Sequence, residues 1–131
     1  MNSSRICLAV LIALFSTGVG CNSYKSPTAP SSSMRGPSGA TITIAPTGLS
    51  PSSVTVSSGQ SVTFVNNDTA AHEIVSGPAP SYSDCPAINQ VSQISPGQTL
   101  ETAALTTNRT CSFLDLMHQN DARFQGTIVV Q

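Results

Sequence analysis

Short runs of alternating polar and apolar residues dominate the chain from Thr41 onward, and β-branched residues fill most of their apolar positions. These runs predict strands at 41–45, 53–56, 61–66, 72–76, 99–105 and 126–131. No run keeps a helical period, and Gly, Asn and Asp mark the turns between runs. The segment 77–98 is rich in Pro and Gly, which excludes a central strand there. We therefore predict an all-β domain over residues 41–131, a sandwich of two sheets with Greek-key connections, with a small closed barrel as the alternative.

The first 20 residues have the pattern of a signal peptide for export. Arg5 is followed by the apolar run 6–15 and then by mostly small residues up to Gly20. The run is too short for a membrane-spanning helix, which needs about 20 apolar residues. GVGC, which ends at Cys21, resembles the lipobox of bacterial lipoproteins, in which the cysteine is acylated after cleavage. We expect Cys21 to be the lipidated N-terminus of the mature chain, and a secreted protein without lipid is the alternative.

Residues 21–40 are rich in Ser, Pro and Gly and have little apolar content, which predicts a flexible linker. The chain thus divides into a signal peptide at 1–20, a lipidated linker at 21–40 and one folded domain at 41–131. The lipid would make the membrane a partner and hold the domain on the periplasmic side of a bacterial cell envelope. Asn22 follows the lipobox cysteine, which by the sorting rule of bacterial lipoproteins favours the outer membrane.

Composition argues against two classes of function. Charged residues make up 8% of the chain and the net charge is −1, so nothing basic enough to follow a phosphate backbone is present, and we expect no nucleic-acid partner. The serines lack a nucleophile elbow or a similar local signature, and the carboxylates are scattered. We therefore expect no enzymatic activity.

The order of motifs in the folded part resembles the cupredoxins, the family of blue-copper sandwiches. The motifs are GQSVTFVNNDTAAHEI at 59–74, PGQT at 96–99, a cysteine followed by a histidine, and the closing GTIVV. The resemblance implies copper as cofactor and electron transfer to a redox protein partner. In that family copper is bound by a histidine after the Asn-Asp turn, a cysteine near the end of the penultimate strand and a histidine in the next loop. His72, Cys111 and His118 match these roles in order.

Two features depart from the cupredoxin pattern. The usual axial methionine, two residues before the glycine of the closing strand, is replaced by Phe124, and Met117 precedes His118 instead of following it. Six residues separate Cys111 from His118, which is more than the family usually has. DCPAIN, RTC and GTIVV also resemble a subgroup of envelope cupredoxin-like proteins with paired cysteines and extra histidines. Leucines stand here where that subgroup has histidines after the cysteine, so the resemblance implies a depleted metal site.

Counting cysteines supplies a second interpretation of Cys111. Cys7 would leave with the signal peptide and Cys21 would carry lipid, so the folded part keeps Cys85 and Cys111 in an oxidising compartment. We expect these two to form a disulfide, which would leave no thiolate for copper.

Three interpretations of the candidate site follow. The first is a type 1 copper centre of His72, Cys111 and His118 with a weak or absent axial ligand. The second is a disulfide at Cys111 combined with a Cu(I) site of His72, His118 and Met117. The third is a metal-free, lipid-anchored sandwich that serves as a binding or structural module. Asp115 lies near His118 in sequence and is interpreted as a solvated loop carboxylate, with a supporting partner of His118 as the alternative.

Overall fold

The computed structural model describes residues 36–131. The predicted signal peptide, the predicted lipidation site at Cys21 and most of the predicted linker lie outside the described residues. Among residues 36–131, none forms a helix long and apolar enough to cross a membrane. The first strand begins at Ser38, before the predicted domain start, because Ser38 pairs with Ser61 and its hydroxyl lies 2.8 Å from that of Thr63.

Within the described part of the chain the strands are β1 Ser38–Ala45, β2 Gly48–Ser50, β3 Ser53–Val56, β4 Ser61–Asn66, β5 His72–Ser76, β6 Ser92–Ile94, β7 Thr99–Glu101, β8 Arg109–Asp115 and β9 Gln125–Val130. Short 3₁₀ helices lie at Ile88–Gln90, Leu116–His118 and Ala122–Phe124. One sheet has the order β2-β1-β4-β7 and the other β3-β9-β8-β5-β6. The pairs β1·β4 and β3·β9 are parallel, and the other neighbours are antiparallel. The result is a sandwich of two mixed sheets.

The core lies between the two sheets, where alternate residues of each strand point inward. Ile42 and Ile44 of β1 and Ile74 of β5 are fully buried, as the alternation along these strands predicts. Phe64 and Phe113, from opposite sheets, meet edge to face with ring centroids 5.3 Å apart. Such aromatic pairs contribute about 0.5–1.5 kcal/mol beyond the burial of their area. This contact ties the two sheets together below the end of the sandwich that carries the candidate site.

The strands β3, β4 and β5 have the predicted bounds, and the closing strand begins one residue early, at Gln125. The predicted strand 99–105 is shorter, since β7 ends at Glu101 and Leu105 makes only an isolated bridge to Gln60. The segment 77–98 contains a 3₁₀ helix and β6, which lies at the edge of its sheet beside β5. An edge strand is compatible with the exclusion of a central one.

Cys85 and Cys111 form a disulfide, with their Cα atoms 5.9 Å apart. Cys111 is the third residue of β8 and is buried, and it faces the core together with Phe113. The disulfide therefore fastens the irregular part of segment 77–98 to the first half of β8. The second half of β8, which ends at Asp115, contains no cysteine or methionine.

Candidate metal centre

The candidate site forms at one end of the sandwich because two antiparallel strands meet there. β5 begins at His72, and its neighbour β8 ends at Asp115, which pairs with Ile74 in the register. The 3₁₀ helix Leu116–His118 follows β8 directly and brings His118 back over the strand end. The side chain of Asp115 begins this helix by accepting a hydrogen bond from the N–H of Met117 at 3.1 Å. Strand pairing and one helix cap thus assemble three side chains.

The centre of the cluster is one oxygen of Asp115, which both histidines face. Oδ2 lies 2.8 Å from Nδ1 of His72 and 2.6 Å from Nδ1 of His118. The ligand atoms of the three residues lie within 4.8 Å of one another. His72 and Asp115 are fully buried, whereas the side chain of His118 is 38% exposed. Two imidazole nitrogens and a carboxylate oxygen are donors that suit a divalent transition metal.

The carboxylate of Asp115 is ionised in this environment. Burial alone would raise the pKa of this carboxyl. Four hydrogen bonds have a larger, opposite effect, so the pKa lies below its usual value; the donors are His72, His118 and the backbone N–H groups of Glu73 and Met117. The N–H of Glu73 donates to Oδ1 at 2.9 Å. The carboxylate thus keeps its charge inside the domain and offers that charge to the two histidines.

A second carboxylate faces the other nitrogen of His72. Oδ2 of Asp68 lies 3.3 Å from Nε2 of His72. The turn that carries Asp68 is fixed by Asn66, which is fully buried. The side-chain amide of Asn66 donates to the carbonyls of Ala70 and Ile94 at 2.8 and 2.9 Å, and its oxygen accepts from the N–H of Asp68 at 2.8 Å. The Asn-Asn-Asp turn signal therefore has a structural cause and positions an acid beside the buried ring.

The ring of Phe124 stacks on the two imidazoles of the cluster. Its ring centroid is 4.4 Å from that of His118 and 5.5 Å from that of His72, and the planes are inclined by 22° and 20°. Phe124 is buried and has no lone pair, so it shields the site and cannot bind a metal. Phe124 stands two residues before Gly126, where the resemblance places the axial methionine, and its standing at an axial position stays a prediction.

Cys111 lies outside the cluster, because it is consumed by the disulfide and sits four residues before the end of β8. The first of the three interpretations, a type 1 centre with Cys111 as the thiolate, is therefore wrong for this structure. The position at the end of the penultimate strand, where the family has its cysteine, belongs to Asp115. Two residues separate Asp115 from His118.

The structure also places the remaining predicted residues. Met117 lies in the 3₁₀ helix beside His118 with 51% of its surface exposed, and its role as a ligand stays a prediction. Asp115 was interpreted as a solvated loop carboxylate, and that is wrong, since it is a fully buried strand residue. The sequence contains a signal for this burial. Cys111, Phe113 and Asp115 are spaced by two, so in a strand all three lie on the same face, the one that packs on the core.

Comparison with solved structures identifies the fold. The chain resembles a purple cupredoxin from Nitrosopumilus maritimus, with a TM-score of 0.55 and 18% identity over 70% of this chain and 99% of that one. It resembles the oxidised plastocyanin of Dryopteris crassirhizoma, with a TM-score of 0.55 and 24% identity over the same shares. A reduced amicyanin variant gives 0.54 and 15%, over 71% and 82%. No protein-family model and no curated protein sequence matches. The predicted cupredoxin-like sandwich is confirmed.

Proposed function

We propose that the protein holds a copper ion in the bacterial cell envelope through His72, Asp115 and His118. The observation that carries the proposal is the position of Asp115 Oδ2, at 2.8 and 2.6 Å from the two Nδ1 atoms. A carboxylate there takes the place that a thiolate has in the cupredoxins. Similarity in fold to a purple cupredoxin and to plastocyanin supports copper as the metal. When bound, the ion would supply a Lewis-acidic, redox-active centre.

The donor set distinguishes the proposed role from that of a blue-copper protein. Nitrogen and carboxylate ligands suit Cu(II), whereas thiolate and thioether ligands select Cu(I). Neither a free thiolate nor an axial methionine is part of the cluster, because Cys111 is bonded to Cys85 and Phe124 replaces the methionine in the sequence. We therefore propose that the site stores Cu(II) or delivers it, without the intense colour of a copper thiolate. We propose no catalytic role for this site.

A calorimetric titration of the metal-free protein with Cu(II) tests the proposal. We expect one ion per chain, and the order of divalent affinities predicts that Cu(II) binds more tightly than Zn(II). Asp115→Asn should weaken Cu(II) binding by more than about 100-fold, the upper range for a residue that only supports a ligand. Glu101→Gln is the matched control, since it removes the same charge from β7 in the other sheet. Equal affinity of the wild type and Asp115→Asn would refute the site.

The Cu(I) site predicted with Met117 requires a separate variant. Met117→Leu removes the thioether and keeps the backbone N–H, which donates a hydrogen bond to Asp115. We expect unchanged Cu(II) affinity in this variant. A selective loss of Cu(I) affinity would instead assign Met117 as a ligand and favour the softer site of the second interpretation.

A metal-free binding module is the second candidate function, and one observation favours it. Within residues 36–131, no buried side-chain nitrogen or oxygen lacks a hydrogen-bond partner. Asp115 is thus satisfied by the histidines and the backbone without an ion. The calorimetric titration separates the candidates, because this module would show no Cu(II) binding that depends on Asp115.

The location in the envelope is part of the proposal and rests on the sequence before residue 36. Lipidation at Cys21 would hold the domain at the membrane surface, where a redox protein or a metal carrier could reach the exposed ring of His118. Membrane fractionation of a Cys21→Ala variant tests the anchor. The expected result is a shift of the protein into the soluble fraction, and an unchanged membrane fraction would contradict lipidation.

A further inference from the structure

The environment of His72 differs from that of His118 in a way that the proposed ligand set does not use. The ring of His72 is fully buried and has a carboxylate oxygen at each nitrogen, Asp115 at Nδ1 and Asp68 at Nε2. His118 has Asp115 at Nδ1, and its exposed side chain can reach water. A buried imidazole that binds a metal through one nitrogen must still satisfy the N–H at the other nitrogen.

The turn before β5 prepares Asp68 for this contact. The N–H of Thr69 donates to Oδ1 of Asp68 at 2.6 Å, which leaves Oδ2 directed at Nε2 of His72. The side chain of Asp68 is only 12% exposed. Asp68 is therefore a hydrogen-bond acceptor that the N–H of Thr69 holds in a fixed orientation.

We propose that Asp68 is a positioning residue, which keeps hydrogen on Nε2 of His72 and so reserves Nδ1 for a metal ion. The inference rests on the proposed function, because the reserved nitrogen is the one that faces Asp115 and His118. In the metal-bound protein the Nε2–H would donate to Asp68, as carboxylates do behind metal-binding histidines. Without Asp68, that N–H would be buried without an acceptor. This would destabilise the metal-bound state and so lower the affinity for the metal ion.

The first test needs no metal and uses the full chain. In the ¹⁵N spectrum of the metal-free wild type, Nε2 of His72 should carry hydrogen. In Asp68→Ala, the Nε2 resonance of His72 should lose the shift that its hydrogen bond to the Asp68 carboxylate causes. A wild-type Nε2 without hydrogen, or an Nε2 resonance that is the same in the wild type and in Asp68→Ala, would overturn the proposal. This result is independent of whether Cu(II) binds.

The second test measures Cu(II) affinity and thermal stability of the same variants. Asp68→Ala should weaken Cu(II) binding about 10- to 100-fold, the usual effect of removing such a partner. Asp68→Asn should restore most of the affinity, since its amide oxygen can accept from Nε2–H while water serves the exposed N–H of Thr69. Glu101→Ala removes an equal charge from the other sheet and should leave the affinity unchanged.

A merely structural role would give a different pattern. Asp68→Ala and Asp68→Asn would then lose Cu(II) affinity in proportion to their loss of melting temperature, with no rescue by asparagine. That pattern would refute Asp68 as a positioning residue. Failure of the wild type to bind Cu(II) would refute the proposed function instead, and the nitrogen spectra of the metal-free protein would still decide the contact between Asp68 and His72.

Discussion

Replacement of Asp115 by alanine and, separately, by asparagine tests how the buried carboxylate supports the fold. Asp115→Ala removes the acceptor for the N–H groups of Glu73 and Met117 and for Nδ1 of the buried His72. A group left without its partner costs about 1 kcal/mol at the lower end of the measured range, and these N–H groups are only partly buried. His118 can turn to water and adds little. We expect Asp115→Ala to lower the free energy of unfolding by about 3 kcal/mol.

Asparagine should be much better tolerated, because it has nearly the same shape. Its oxygen can accept from the two backbone N–H groups, and its amide can donate to the Nδ1 atoms of His72 and His118 once these carry lone pairs. His72 can then place its hydrogen on Nε2, towards Asp68. We expect a cost below about 1 kcal/mol, within the range of a single ordinary hydrogen bond.

Urea denaturation of the metal-free proteins measures both costs, and equal m-values would show that the compared states bury similar surface. The free energies of unfolding of the alanine and asparagine variants should differ by about 2 kcal/mol. Equal destabilisation by both would refute it, because the charge of Asp115 and not its acceptor capacity would then support the fold. A loss below about 1 kcal/mol in Asp115→Ala would refute it as well.

Further predictions concern sulfur and charge. Asp115→Cys, loaded with copper, should be intensely coloured, since it would place a thiolate between two imidazoles, and a colourless protein would contradict the assigned position. Serine at both Cys85 and Cys111 should lower the free energy of unfolding by about 3.5 kcal/mol, the chain-entropy value for a separation of 26 residues, and leave Cu(II) affinity unchanged. The hydrogen bond from Arg123 lowers the pKa of Asp121 to about 2, so its contribution to stability is present above about pH 3.9 and is lost as the pH falls through about 2. Carboxyl NMR of Arg123→Ala should show this pKa rising, and an unchanged value would contradict the pairing.

The sequence predicted the strands best where apolar alternation is uninterrupted, as in 53–56, 61–66 and 72–76. β2 and β6 were not predicted, because three residues are too few to display a period. β8 was not predicted from its pattern either, and the resemblance indicated only a strand that ends near Cys111. Asp115 is charged and stands next to a loop, so it reads as a surface residue until strand pairing places it opposite Ile74.

The candidate site was predicted in part. His72 and His118 could be assigned from their order along the chain, and Phe124 from its distance to the closing strand. The contact of Asp68 with His72 could not, since it depends on how Asn66 closes the turn through one long-range hydrogen bond to the carbonyl of Ile94. The Cys85–Cys111 disulfide could be predicted by counting the cysteines of the folded part. This prediction removed Cys111 from the candidate ligands but did not show that Asp115 belongs to the cluster.

The separation of Cys111 from Asp115 along β8 has a consequence for chemical durability. Four residues of strand span about 13 Å, so the sulfur of Cys111 and the carboxylate oxygen of Asp115 that faces the histidines lie well apart within one strand. A copper-bound thiolate can be carried step by step to sulfenic, sulfinic and sulfonic acid, and the later steps are irreversible. A carboxylate has no such states. The His72, Asp115 and His118 cluster therefore contains no sulfur for peroxide to destroy, and thiol-modifying reagents should leave it intact.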